Sequence, residues 1–288
     1  MEIEIAGRSI GDGYPCFVVA EIGINHNGKL DTALDLVDAA KEAGADAVKF
    51  QKRTVELVYT PEELARPRAS LFGTTNSDLK RGLELSEENY EEIADYCYVN
   101  GMVWFASAWD VPSVKFLNEL AVDAHKVASA KLTDYELLAA MAHGEVAVIL
   151  STGMSTEKEV CDAVRLVEHG RVPIALLACT AAYPAAIDDL HLERIRTLRE
   201  KFTRHVIGYS GHEVGVWTTL CAVAMGAQIV ERHITLDRSM WGSDQAASLE
   251  PAAFAKLVQE IRDFERARGS GALRCLPCEE PQKAKLRK

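Results

Sequence analysis

Residues 16–53 read CFVVAEIGINHNGKLDTALDLVDAAKEAGADAVKFQKR. The apolar, β-branched run 16–23 stops at a polar turn, Asn25-His26-Asn27-Gly28. Residues 30–44 then place apolar side chains at helical spacing and close on Gly44, before a second apolar run at 47–53. Strand, helix and strand joined by a crossover of this length form a βαβ unit, which demands a parallel sheet covered on both faces.

The same unit recurs along the chain. Strand-like runs are predicted at 16–23, 47–53, 102–109, 125–132, 146–154, 173–181, 205–212 and 229–236. Amphipathic segments follow them, among them SEENYEEIADYCYVNG (86–101), TEKEVCDAVRLVEHG (156–170) and PAAFAKLVQEIRDFERARG (251–269). Several open on Ser, Thr or Asp and close on Gly, as helix capping requires. Eight such units in 288 residues predict an α/β fold, a (β/α)8 TIM barrel, over residues 16–270. An open doubly wound sheet is the alternative, but no GxGxxG turn supports it. Residues 1–15 are expected to form a short N-terminal β-hairpin across the barrel bottom, and 271–288 a C-terminal tail.

A net charge of −11 argues against nucleic acid or an anionic membrane as partner. The N-terminus lacks the pattern of a signal peptide, and no apolar run approaches a membrane span. Seven scattered cysteines read as reduced thiols of a cytoplasmic protein. Cys275 and Cys278 make a lone CxxC, too few ligands for a structural zinc site.

In a barrel of this kind, chemistry belongs at the C-terminal strand ends and the loops after them. Polar residues fall there in every unit: Glu21, Asn25 and His26; Lys49 and Gln51; Ser107 and Asp110; Lys126, Ser129 and Lys131. The later units add Ser151 and Thr152; Thr180 and Tyr183; Ser210 and His212; His233 and Asp244. Core packing alone does not produce such placement.

His212 and His233 come from adjacent strands. Either alone reads as a core histidine bonded to a carbonyl; two at equivalent strand ends read as a divalent-metal pair. A lysine inside an apolar strand needs an anion, so Lys49 and Lys126 read as a phosphate or carboxylate grip, with snorkelling or a Schiff base as the other options. Ser129, Ser151, Thr152 and Ser210 could add donors to phosphate oxygens. Glu21, ending an otherwise apolar strand, is either an anchor for a backbone amide or an acid–base group.

AEIGINHNG (20–28), VKFQKR (48–53), LSTGMST (150–156), IGYSGHE (207–213) and ERHITLDRSMWGSDQAASLEP (231–251) together resemble the N-acetylneuraminate (sialic acid) synthase family. FQKR, FGTTNSDLKRGLELS (72–86), IGYSGHE and ERHITLD look most like its 9-phosphate-forming branch. The resemblance implies a metal-dependent transferase that condenses phosphoenolpyruvate with an open-chain, N-acetylmannosamine-like aldose, possibly phosphorylated, to a 3-deoxy-2-ulosonic acid and phosphate. It implies manganese or magnesium on His212 and His233, and Glu21 as the catalytic carboxylate. Phosphoenolpyruvate would meet Lys49, Lys126, Ser129 and Ser210, with Ser151 beside them. The sugar would meet Gln51, Tyr183 and Asp244. A homodimer is implied as well. A non-catalytic sugar-phosphate-binding barrel and a metal-dependent pyruvate aldolase are the alternatives.

Three places depart from the family's usual pattern. VASAKLTD (127–134) puts Lys131 where an acidic residue is usual, offering charge to a phosphate or to an acidic sugar. LACTAAYP (177–184) has Ala178 and Ala181 at positions often polar, and FASAWD (105–110) has Ala108 for a hydroxyl donor. Arg66, Arg68, Lys80 and Arg81 in the long loop after strand 2 are either an acceptor-phosphate site or a solvated surface. LPCEEPQKAKLRK (276–288) resembles the family's connector into a small antifreeze-like domain, which the chain is expected to lack.

Overall fold

The computed structural model describes residues 2–287. The chain begins with an antiparallel hairpin of β1 (Glu2–Ile5) and β2 (Arg8–Gly11). Then come β3 (Phe17–Gly23), β4 (Ala47–Lys52), a second small hairpin of β5 (Pro67–Ser70) and β6 (Gly73–Thr75), and β7 (Val103–Ala108). The remaining strands are β8 (Ala124–Val127), β9 (Ala147–Ser151), β10 (Ile174–Cys179), β11 (Val206–Gly211) and β12 (Ile229–His233). β3, β4 and β7 to β12 close into one parallel barrel, with β12 pairing β3. The eight predicted strands are the eight barrel strands.

Every residue of β3, β7, β9, β10, β11 and β12 is buried. Side chains alternate between the barrel interior and the surrounding helices, so both faces are dry and the strands read as continuous apolar runs. Helices Leu30–Glu42, Glu87–Val99 and Glu157–His169 lay apolar stripes on the outside, burying Leu36 and Val37, Tyr90 and Ile93, Val160 and Val164. Ser86 and Thr156 close capping boxes with Asn89 and Glu159 at two of these starts, satisfying amides the helix leaves open. Gly44 at φ 83° follows the first helix, a left-handed turn that suits glycine.

The N-terminal hairpin packs at the bottom. Ile3, Ile5 and Ile10 are buried, and Arg8 Nη1 donates to Asp46 Oδ1 at 2.7 Å, just before β4. At the opposite end the loop after β4 is partly ordered by β5, β6 and helix Asn76–Leu83. Gly28 explains how this loop approaches the β3 turn: at φ 70°, any Cβ would lie 1.9 Å from the Gly82 carbonyl oxygen. Beyond helix Pro251–Arg268, the tail forms a short exposed helix, Glu280–Leu286. No helix among the described residues is long and apolar enough to cross a membrane.

Candidate active site

A cavity of about 210 Å³ opens at the C-terminal end of the barrel. Inward positions of successive strands line it: Glu21 from β3, Lys49 and Gln51 from β4, Ser107 from β7, Lys126 from β8, Ser151 from β9, Ser210 from β11, Glu231 and His233 from β12. Ser129, Tyr183 and His212 join from the loops. Asp244 stands beside His233, its Oδ2 4.0 Å from Nδ1. The residues proposed from sequence as catalytic, donor-binding, sugar-binding and metal-binding thus meet in one place.

The floor is a buried charge lattice. Lys49 Nζ lies 2.6 Å from Glu21 Oε2 and 3.7 Å from Glu231 Oε1, and donates to Ser107 Oγ at 2.9 Å. Lys126 Nζ lies 4.0 Å from Glu231 Oε2 and donates to Ser151 Oγ at 2.7 Å. Glu231 therefore sits between two ammoniums that would otherwise repel each other. Burial alone would push Glu231 up, but Lys126 and Lys49 outweigh it and hold the carboxyl at about 2. Glu21 has the opposite balance: burial and the Glu231 charge outweigh Lys49 and raise it to about 7. Two neighbouring carboxylates are thus split, one permanently ionised and one able to exchange a proton near neutrality. Burial also lowers Lys126, while Glu231 pulls it back.

The facing wall carries the histidines, with ring centroids 5.5 Å apart and the Tyr183 ring 4.2 Å from His212. His212 Nδ1 is 2.9 Å from the Thr180 carbonyl oxygen. An Nδ1–H donor there leaves Nε2 with a free lone pair, the usual arrangement of a metal-ligating imidazole. Burial keeps His233 below the usual imidazole range, hence neutral, and its Nδ1 is buried without a hydrogen-bond partner. Two imidazoles, one oriented by a backbone carbonyl and one uncommitted, fit a divalent cation that keeps open positions. Among the described residues no third His, Cys, Asp or Glu completes a ligand cluster with them.

Several polar residues of the rim serve the frame instead. Asn25 Nδ2 donates to the Ile234 carbonyl and to Ser248 Oγ, both at 2.8 Å, tying the β3 turn to the β12 loop. His26 Nδ1 accepts from the Gly28 amide. Asp110 caps helix Val111–Glu119 and accepts from the Thr54 amide. Thr152 and Thr180 donate to the carbonyls of Leu177 and Asp189. The charge expected of Lys131 does not reach the cavity: its Nζ pairs with Asp134 at 3.0 Å, and Ala130 faces the space instead. Ala108 is fully buried and does not line the cavity either, whereas Ala181 does. In the loop after β4, Arg81 pairs with Glu56 and Lys80 lies over the Tyr59 ring at 4.7 Å, away from the cavity lining.

Glu231 and Trp109 line the cavity but were assigned no role from sequence. For Glu231 the signal was present: it stands two residues before His233 and shares its face of the strand.

With that geometry in place, comparison with known proteins is specific. The NeuB family pattern matches residues 36–272. The N-acetylneuraminate-9-phosphate synthase of Mus musculus is 40% identical over 291 aligned positions, covering 100% of this chain and 81% of that protein. The N,N'-diacetyllegionaminic acid synthase of Legionella pneumophila is 37% identical, covering 96% and 80%. A crystal structure of an N-acetylneuraminic acid (sialic acid) synthetase from Leptospira borgpetersenii superposes with a TM-score of 0.88 at 32% identity, covering 100% of this chain and 98% of that one. The Thermotoga maritima DAHP synthase, at 17% identity and a TM-score of 0.72, shares the fold. The chain belongs to the NeuB family, that of the sialic acid synthases.

Proposed function

We propose that this barrel condenses phosphoenolpyruvate with the aldehyde of an open-chain aldose, giving a sialic-acid-like 3-deoxy-2-ulosonic acid and inorganic phosphate. The observation that carries the reading is the pair of buried ammoniums, Lys49 and Lys126, bridged by Glu231 at 3.7 and 4.0 Å and facing the imidazoles of His212 and His233 across one cavity. Desolvated cations at this spacing suit an enol phosphate, and hydroxyls of Ser129, Ser151 and Ser210 stand ready as donors to its oxygens.

Bond changes follow from the substrates. C3 of the enol ester attacks the aldehyde carbon, forming the C–C bond, while the aldehyde oxygen takes up a proton. The resulting oxocarbenium at C2 adds water. That water loses a proton, and the tetrahedral centre breaks its C2–O bond to phosphate, leaving a ketone as the second water proton departs. Glu21, with its carboxyl near 7, is placed to accept the water proton and return it. Glu231, held ionised by the lysines, offsets the positive charge that develops at C2. Lys49 and Lys126 hold the phosphate as its bond to C2 breaks. His212 and His233 would hold a divalent cation, manganese or magnesium, which supplies Lewis-acid polarisation of a carbonyl oxygen. Tyr183 and Asp244, beside the histidines, and Gln51 face the sugar.

Phosphate release tests this. Purified protein with manganese and phosphoenolpyruvate should release phosphate only when an aldose is added, across N-acetylmannosamine, its 6-phosphate and unmodified C4–C6 aldoses. Activity on pyruvate alone would favour an aldolase, and binding without turnover would favour a sugar-phosphate-binding barrel.

A further inference from the structure

The Nε1–H of Trp109 is a buried donor without a hydrogen-bond partner, on a ring that lines the active cavity. Such a group loses its hydration and gains nothing in return, unless a ligand supplies the acceptor. Its orientation is fixed from behind. The Arg53 guanidinium carbon lies 5.0 Å from the ring centre. Arg53 is itself held by Gln51 Oε1 at 2.6 Å, Tyr59 Oη at 3.1 Å and Glu84 Oε2 at 3.2 Å. The Trp109 amide donates to the Lys52 carbonyl at 3.0 Å, continuing the β4–β7 ladder. The indole is therefore a fixed wall.

Height in the barrel identifies what that wall meets. Ser107, two residues earlier on the same face, accepts from Lys49 at the floor. Trp109, one residue past the end of β7, lies about 7 Å further toward the mouth along the same extended path. The enol ester, gripped by the lysines below, leaves this level to the molecule that enters above it. Gln51, the neighbouring polar group on this wall, already spends its carbonyl on Arg53 and one N–H on Glu21. Gln51 keeps one further N–H, and the indole adds a second uncommitted donor to this wall.

We propose that Trp109 is a specificity-determining residue for the acceptor sugar, stacking its ring on the carbon chain and donating Nε1–H to one of its oxygens, a hydroxyl or an amide carbonyl. This rests on the condensation reading above. Trp109→Phe keeps an aromatic ring beside Arg53 but removes the donor together with the pyrrole half of the indole, so the contrast between acceptors is what reads the hydrogen bond. With the best acceptor among N-acetylmannosamine, its 6-phosphate and mannose, the variant should raise KM for the acceptor roughly tenfold to a hundredfold. KM for phosphoenolpyruvate and kcat should stay within about twofold. If N-acetylmannosamine suffers and mannose does not, the amide carbonyl is the partner; equal losses assign a hydroxyl. Unchanged acceptor KM, or a rise confined to phosphoenolpyruvate, overturns the role of Trp109. No turnover by the unmodified protein with any acceptor overturns the condensation reading itself, and this one with it.

Discussion

Arg232 Nη1 lies 3.1 Å from Glu213 Oε1, and both side chains are shut away from water on the outer face of the barrel. Each is the chain neighbour of a cavity histidine, His233 and His212. Strand alternation sends the imidazoles inward and this pair outward. Arg232 also donates to Thr219 Oγ1 and to the carbonyls of Gly215 and Glu213. Glu213 accepts from Tyr209 and Thr218. The two strands that present the histidines are thus cross-linked directly behind them.

Glu213→Gln should cost about 3–5 kcal/mol, because it leaves a buried guanidinium without its counter-charge. In a domain of this size that is a fall of on the order of 10 °C in Tm. Replacing both partners, Arg232→Met with Glu213→Leu, should recover most of the loss. Calorimetry on the three proteins checks it; a Glu213→Gln melt within 2 °C of wild type, roughly the scale of a surface change, would show that the pair carries little.

Glu21→Gln keeps the shape of the group and an oxygen for Gln51, which donates to it at 2.9 Å. It removes the only one of the two floor carboxylates raised to about 7. Turnover should fall 10²–10⁴-fold, roughly the worth of a positioned proton acceptor, while phosphoenolpyruvate still binds. Calorimetric titration with phosphoenolpyruvate separates the roles, since lost binding would make Glu21 a structural partner of Lys49.

The barrel was legible because parallel strands buried on both faces leave continuous apolar runs, as in FVVAEIG at β3 and VWFASA at β7. Strand ends were less so. The run expected to last through 132 stops at Val127, because Ser129–Lys131 turns into a 3-10 helix. Lys49, Lys126 and the histidines stood out as polar residues in apolar strands. Glu231 stood out less, because it is one of a polar triplet, Glu-Arg-His, and only its two-residue spacing from His233 marks it as facing inward. Lys131 misled for a related reason: its partner, Asp134, lies one turn ahead on the same local segment, so its charge is satisfied before it reaches the cavity. Trp109 reads in sequence as one more core aromatic. Only coordinates reveal that its N–H has nothing to bond.

His212→Ala and His233→Ala should each abolish tight binding of manganese, measured by titration calorimetry on the purified protein. On the proposed reading these two imidazoles are the nitrogen ligands, so either variant halves the set that would hold the cation. Turnover should fall by orders of magnitude in both. Manganese affinity unchanged in either variant would remove that histidine from the cation site.

Acid should weaken the fold through histidines outside the reaction. Burial holds His26 and His125 at about 4, below the roughly 6.5 of an unfolded chain. The unfolded state therefore binds more protons between those values, and the stabilisation these rings provide is complete above about pH 6.5 and disappears as pH falls through 4. Each shift corresponds to about 3 kcal/mol. Glu21 works in the opposite direction, since its raised carboxyl favours the folded state as it protonates. The His125 share can be isolated. Its Nε2 lies 2.8 Å from Asn118 Oδ1 on the barrel exterior, away from the cavity. His125→Leu should lower stability at pH 7 through the abandoned Asn118, yet flatten the fall in Tm between pH 6.5 and 4 by about one proton's worth. Parallel Tm-against-pH curves for the two proteins would count against a neutral, buried His125.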